Sequence, residues 1–183
     1  MLDGSKALRS AVAKVFGTKA LVQRCTLHKR RNVTDYLPVA RRKAFDRRLA
    51  TIFANADAAA GLRDARRLAA QLKRDHPDAA GSLLEGLEEM FTVARLGITG
   101  ALRRSLTNTN CIESMISTVR VVTGRVKKWE NGDMKKRWIA TGMIEAQRSF
   151  RRVRGHTHMA ELATLIGHAV NPATPVNYAQ DVA

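Results

Sequence analysis

Cysteine, acidic residues and long apolar runs are all scarce in this 183-residue sequence, and each scarcity argues against a class of protein. The two cysteines, Cys25 and Cys111, stand far apart without a paired pattern, which argues against the disulfide framework of a small secreted domain and makes a reducing, intracellular setting the expectation. No apolar stretch approaches the roughly 20 residues that a membrane-crossing helix needs, so the chain reads as soluble, with no membrane partner. Met1-Leu2-Asp3-Gly4 lacks the basic-then-apolar layout of a signal peptide. Sixteen Asp and Glu face thirty-two Lys and Arg, leaving a formal charge of +16 that calls for a polyanionic partner. Nucleic acid is the first candidate, although many basic proteins bind nothing specifically. There is no internal repeat and no low-complexity tract, and the length suits one sizeable core or one domain with a second helical lobe.

What is present is mostly helical periodicity. Leu8, Ala11, Val12 and Val15 recur at helical spacing, with Gly17 as a stop, so residues 5–16 read as a short amphipathic helix. The brief apolar run from Ala20 to Cys25, preceded by Gly17-Thr18-Lys19, reads as a buried strand. From His28 to about Leu106 the pattern is helical. Phe45, Leu49, Ile52 and Phe53 form one stripe, and Leu62, Ala65, Ala69 and Leu72 form another. These are read as the core of a helical lobe, with Arg41-Arg42-Lys43 and Arg47-Arg48 on outer faces, solvated or laid against phosphates. After the break at His76-Pro77-Asp78, Ser82 and Glu85 form a capping box ahead of Leu83, Leu84, Leu87, Met90 and Phe91. Gly97 to Asn110 reads as a loop. Asn110 then serves as the N-cap of a helix with Ile112, Met115, Ile116 and Val119 on its apolar face and Glu113 beside it, on the side shared with Ser117 and Arg120. Met134, Trp138, Ile139, Met143, Ala146 and Phe150 indicate another helix. A last one through Met159, Leu162, Ala163 and Ile166 ends at Gly167, and Pro172 and Pro175 mark a disordered tail.

Three points along the chain have the residue types that chemistry needs. Asp3-Gly4, ahead of a helix, can present a carboxylate to Mg²⁺, or can simply be a turn or N-cap aspartate. Cys25-x-x-His28 resembles half of a zinc site whose other half is missing: Cys111 is alone, and His156 and His158 have no cysteines beside them. No zinc is expected, and a packed or hydrogen-bonded pair is preferred. Glu113, on a helix, can complete a metal cage whose other ligands sit on strands, or can serve the helix start, but one carboxylate cannot fully serve both.

Taken in order, Asp3-Gly4, then Arg24-Cys25-Thr26-Leu27-His28-Lys29-Arg30-Arg31-Asn32-Val33, then a long helical stretch, then Thr109-Asn110-Cys111-Ile112-Glu113-Ser114 resemble the IS256/Mutator-type transposases, in the later part of their catalytic region. The likeness runs from Asp3 to about Phe150. It implies a fold that is mainly α with a small α/β part, an incomplete RNase H-like catalytic domain interrupted by an all-α insertion. By this likeness residues 1–28 are a partial RNase H-like core, with a strand end at Asp3, a helix and one strand. Residues 29–106 are the insertion, residues 107–154 the helix bearing Glu113 with a basic helical region, residues 155–170 a C-terminal helix and residues 171–183 the tail. The resemblance makes Asp3 the second aspartate and Glu113 the glutamate of an Asp, Asp, Glu triad, with Cys25, His28 and Asn110 as signature residues. Cys111 stands where the family usually has a small residue. The first aspartate and its strands would precede Met1, so the chain is expected to be a fragment or remnant.

The complete enzyme of such a family uses Mg²⁺ or Mn²⁺ to cleave and join phosphodiesters at the element ends. With Asp3 and Glu113 alone, metal affinity is expected to be weak or absent and activity slight. Between Arg120 and Arg154 stand eleven Lys and Arg against three acids, with Trp129 and Trp138 interspersed. Arg30, Arg31, Arg120, Arg125, Lys127, Lys128, Lys135, Lys136 and Arg137 are the candidate DNA contacts. Either Trp can stack on an unpaired base, though a core role suits Trp138 better. DNA is the expected partner, a homo-oligomer the expected assembly of the full-length family, and a bacterial cytoplasmic, nucleoid-associated location the expected setting. Two rival readings stay open: a non-catalytic DNA-binding remnant that modulates a full transposase, and a basic helical RNA-binding protein.

Overall fold

The computed structural model describes residues 1–17 and 20–170; the expected tail at 171–183 and Thr18-Lys19 lie outside the described residues. The chain is mostly helical. Helices α1 (Lys6–Phe16), α2 (Thr26–Asp35), α3 (Val39–Ala54), α4 (Ala58–Asp75) and α5 (Pro77–Leu84) lead into a 3₁₀ turn at Leu87–Phe91. Then come α6 (Thr92–Arg95), α7 (Gly100–Leu106), α8 (Asn110–Thr123), α9 (Gly132–Gln147), a second 3₁₀ turn at His156–His158, and α10 (Met159–Val170). These elements form two compact units, one of residues 1–108 with the segment from Arg154 onward, the other of Thr109–Val153.

Local chemistry explains where several helices begin. At α4 the Asp57 carboxylate accepts from the backbone N–H of Ala59 (2.8 Å) and Ala60 (3.1 Å), and Lys73 and Arg74 in the last turn complement the helix dipole. Pro77 takes the first position of α5, where its missing N–H costs nothing. Ser5 caps α1 by accepting from Leu8 N–H (3.2 Å), and Asn131 caps α9 by accepting from Met134 N–H (2.8 Å).

The core of the first unit lies where the two predicted stripes meet. Leu49, Ile52 and Phe53 of α3 and Ala65, Ala69 and Leu72 of α4 are buried, together with Val33, Leu68, Leu83, Met90 and Phe91, and Phe45 and Leu62 pack at the margin. The Phe91 ring meets Phe53 edge-on, with centroids 6.0 Å apart. Gly61 makes this approach possible, because a Cβ there would lie 2.3 Å from the Phe91 ring. A smaller cluster joins Val93, Ile98 and Leu102 to Leu162 of α10. In the second unit α8 and α9 pack as a helical hairpin, with Val119, Gly142 and Ala146 buried at the seam.

Several expectations are corrected. The strand at residues 20–25 shrinks to one parallel bridge, with Leu2 N–H donating to Gln23 C=O (2.9 Å) and Cys25 N–H to Leu2 C=O (2.8 Å). No further strand partner appears among the described residues; Arg24 N–H instead donates to Glu89 C=O (3.0 Å), and the Gln23 amide bonds Met90 C=O and Val93 N–H. Ser82 and Glu85 close α5 at its C-terminal end, not open a helix, because Pro77 has already started one. The expected loop at Gly97–Asn110 contains α7. The N-cap position of α8 belongs to Thr109, so Asn110 is the first helical residue, and α10 continues past Gly167 to Val170. Helix α1 forms where expected but buries no residue; Leu8, Val15 and Phe16 remain exposed.

A partly buried ionic network joins the start of the chain to the α5 end. Arg24, only 10% exposed, reaches Glu89 (Nε to Oε2, 2.8 Å) and Glu85 (Nη1 to Oε1, 3.3 Å), and Arg9 also pairs with Glu89. The Lys29 ammonium, 3% exposed, donates to the carbonyls of Ser82 and Glu85, both at 2.7 Å, and so satisfies the open C-terminal end of α5. Burial pushes the Lys29 pKa down, against the pull of Glu85. Gly86, at φ 61°, brings the backbone so near that a Cβ would lie 2.5 Å from the Arg24 guanidinium. Removing Arg24 leaves Glu89, 17% exposed, with Arg9 and Glu85 with Lys29. Arg24→Ala is expected to lower unfolding free energy by about 2 kcal/mol in urea titration, the scale of charge-assisted hydrogen bonds lost; a midpoint equal to that of the parent would show that the network contributes little.

Candidate functional site

Asp3 is exposed, and its Oδ1 accepts from Ser5 N–H (2.9 Å) just before Ser5 itself caps α1. This is an aspartate turn at a helix start, and it engages one carboxylate oxygen while leaving the side chain open to solvent. Gly4 follows at φ 107°, a conformation that favours glycine, and a Cβ there would meet Arg24 Nη1 at 3.6 Å.

Glu113 occupies the first turn of α8, where the helix dipole favours a negative charge, and it is exposed. Its Oε1 accepts from the Thr109 hydroxyl (2.7 Å), while its own N–H donates to Thr109 C=O (2.9 Å). Thr109 is buried, so a fixed residue holds the carboxylate. Sequence reading missed Thr109 because it gave Asn110 the cap; the available signal was a threonine four residues ahead of the glutamate. Asn110 is exposed.

Cys25 is 1% exposed and stands at the N-cap of α2, and His28 follows half-buried one turn later. Their neighbour Lys29 closes α5. Among the described residues no three His, Cys, Asp or Glu side chains gather into a group able to hold a metal ion. Asp3 belongs to the first unit and Glu113 to the second, and each offers the hard oxygen donors that Mg²⁺ prefers. Each suits the ion in kind and neither forms a cage by itself, so no metal-dependent step is assigned to either.

The candidate DNA contacts divide by environment. Arg30 is half-buried and committed to Asp46 through two guanidinium–carboxylate bonds, one of 2.7 Å from Nε to Oδ1. That hydrogen-bonded partner, first, and its positive charge hold the Asp46 carboxyl below the usual range. Arg31 is exposed. In the second unit Arg120, Arg125, Lys127, Lys128, Lys135, Lys136 and Arg137 are all exposed, and of these Lys136 meets Asp133 (3.1 Å). Ten Lys and Arg stand against four Asp and Glu in that unit. Trp129 is 37% exposed among them, whereas Trp138 is half-buried.

Helices that display cations and very few compensating acids define a class of polyanion-binding protein. The sequence profile described as Transposase, Mutator family matches residues 1–152. The chain belongs to the Mutator family of transposases, a membership that implies DNA binding and transposition. No curated protein and no solved structure matches it. Among the described residues no helix is long and apolar enough to cross a membrane.

The Arg30–Asp46 pair gives a pH prediction. A carboxyl whose folded pKa is depressed contributes stability above its unfolded pKa and loses it as pH falls through the folded value. Asp46 should therefore titrate below its ordinary 3.8 in an NMR-monitored acid titration, and Arg30→Gln should move it back up. An Asp46 midpoint that does not respond to Arg30→Gln would contradict the assignment.

Proposed function

We propose that the chain is the later part of a DDE transposase catalytic region, with Asp3 as the second aspartate and Glu113 as the glutamate of the triad. The family match over residues 1–152 supports this reading, since the matched stretch includes Asp3, Cys25, His28 and Glu113. In this proposal the parent domain is RNase H-like, residues 29–106 are its helical insertion, and α8 delivers Glu113. A third carboxylate from residues outside this sequence completes the set. Asp3 and Glu113, together with that carboxylate, would hold Mg²⁺ or Mn²⁺, which would supply activation of the attacking hydroxyl and charge neutralisation at the scissile phosphate. Thr109 orients Glu113, and the cations of α8, α9 and their connection hold the DNA backbone. The complete protein acts as a homo-oligomer on element ends and target in the bacterial cytoplasm, at the nucleoid.

A second reading is favoured by one observation, the exposure of Arg120, Arg125, Lys127, Lys128, Lys135, Lys136 and Arg137. Such a surface binds DNA without any catalytic carboxylate, so this chain on its own acts as a non-catalytic DNA-binding module that competes with or modulates a full transposase. Transposase membership leaves the RNA-binding alternative without support.

The test is a pair of measurements on the whole chain. Anisotropy with a labelled duplex should show binding that falls steeply with salt, and Lys127→Gln with Lys128→Gln should reduce the log–log salt slope by about two. Supercoiled plasmid incubated with Mg²⁺ or Mn²⁺ should stay unnicked. Metal-dependent nicking abolished by Glu113→Gln would overturn the non-catalytic reading, and absence of DNA binding would overturn both.

A further inference from the structure

Within the first unit, a cleft of about 370 Å³ opens between α2, α3 and α7, a size typical of ligand sites, which run from about 300 to 1,000 Å³. Phe53, Thr26 and Thr107 contribute to its walls, together with Arg30, Arg103 and Arg104, and no acidic residue lines it. Arg30 is already neutralised by Asp46. Arg103 is different. Its Nη2 donates to the carbonyls of Phe53 (3.2 Å) and Asn55 (2.6 Å), which anchors the guanidinium at the C-terminal end of α3. No carboxylate pairs with it among the described residues, and burial alone pushes its pKa below the ordinary value. Arg104, next in sequence and exposed, has no side-chain partner among the described residues either.

The contrast with the other inward cations is what points to a ligand. Arg24 and Lys29 are buried and each faces a carboxylate, as partly buried charges ordinarily do. Arg103 is held rigidly, partly desolvated and left with Nε and Nη1 uncommitted at an open cleft. A guanidinium fork in that state matches the oxygens of a phosphate, which accept two parallel N–H bonds.

We propose that this cleft is a phosphate-binding site, in which Arg103 and Arg104 grip a backbone phosphate of the DNA strand that the protein carries. The inference rests on the DNA-binding reading above and adds a second contact surface to it, in the first unit. The small residues Ala50, Ala54, Ala56 and Gly100 along the cleft leave space for the sugar that follows the phosphate.

Binding of a short labelled duplex across a range of KCl concentrations tests this, using the full chain, Arg104→Gln, the double variant Arg103→Gln/Arg104→Gln, and Arg63→Gln, an exposed position of α4, as a control of equal charge change. Replacing the Arg104 side chain leaves the Arg103 contacts to α3 in place, so its variant keeps the test independent of α3 capping. Support would be affinity weakened about 5- to 10-fold by Arg104→Gln, a salt slope lowered by about one, and little change in Arg63→Gln. Inorganic phosphate should also raise the melting temperature of the parent and not that of the double variant. Equal weakening by Arg63→Gln, or unchanged binding in both arginine variants together with no stabilisation by phosphate while the parent binds DNA, would overturn the cleft and leave the DNA-binding reading standing. Stabilisation by phosphate with unchanged DNA binding in both arginine variants would overturn the DNA-backbone assignment in favour of a free anion. A parent that fails to bind DNA would sink the underlying reading together with the proposal.

Discussion

The ionic network of Arg9, Arg24 and Lys29 with Glu85 and Glu89 is the constraint on which the first unit depends. It ties residues that begin the chain to residues some sixty positions later, and both groups of backbone are otherwise poorly supplied with partners. Residues 20–25 have no sheet to join beyond the Leu2 bridge, so the Gln23 side chain and the Arg24 N–H reach Met90, Val93 and Glu89 in place of a strand ladder. The last carbonyls of α5 need a donor, and Lys29 provides it. With α2 anchored in this way, Thr26 N–H can donate to Thr107 C=O (2.9 Å), which draws the end of α7 to the start of α2. The cleft between α2, α3 and α7 is a consequence of that closure.

Ion pairing, in this network and beyond it, also decides how the net charge of +16 is displayed. Many of the acids that the sequence does contain are committed to named arginines and lysines: Asp46 to Arg30, Glu85 and Glu89 to Arg24, Glu88 to Arg66. Positive charge left without such a partner therefore dominates elsewhere, on the exposed cations of the α8–α9 hairpin and at Arg103 and Arg104. A protein built to hold a polyanion benefits from this arrangement, since cations neutralised internally stabilise the fold and unneutralised ones remain available for phosphate.

The two carboxylates of interest share a design at the level of local structure. Asp3 and Glu113 each stand at the start of a helix, and each takes a hydrogen bond there, from Ser5 N–H and from the Thr109 hydroxyl. Helix starts favour negative charge and fix side-chain direction, which serves a metal ligand as well as a cap. At Glu113 the Thr109 hydroxyl engages Oε1, so the helix-start role and the catalytic role proposed in a complete domain share one carboxylate.

Much of this was legible without coordinates. The stripes of α3 and α4 predicted their buried faces, because helical periodicity is a local signal that needs no partner to be identified. The motifs around Cys25–His28 and Asn110–Glu113 pointed to the family, because the same short spacings recur in its members. The strand at 20–25 was misread, since a strand exists only through neighbours that a single segment cannot reveal. Ser82 and Glu85 have the spacing of a helix start, yet Pro77 upstream turned that stretch into a helix end. By itself, the sequence determined the helical faces, the charge excess and the family. Only the tertiary structure decided which cations are neutralised and which face a cleft, because those outcomes depend on hydrogen bonds between residues such as Arg103 and Asn55 that lie far apart along the chain.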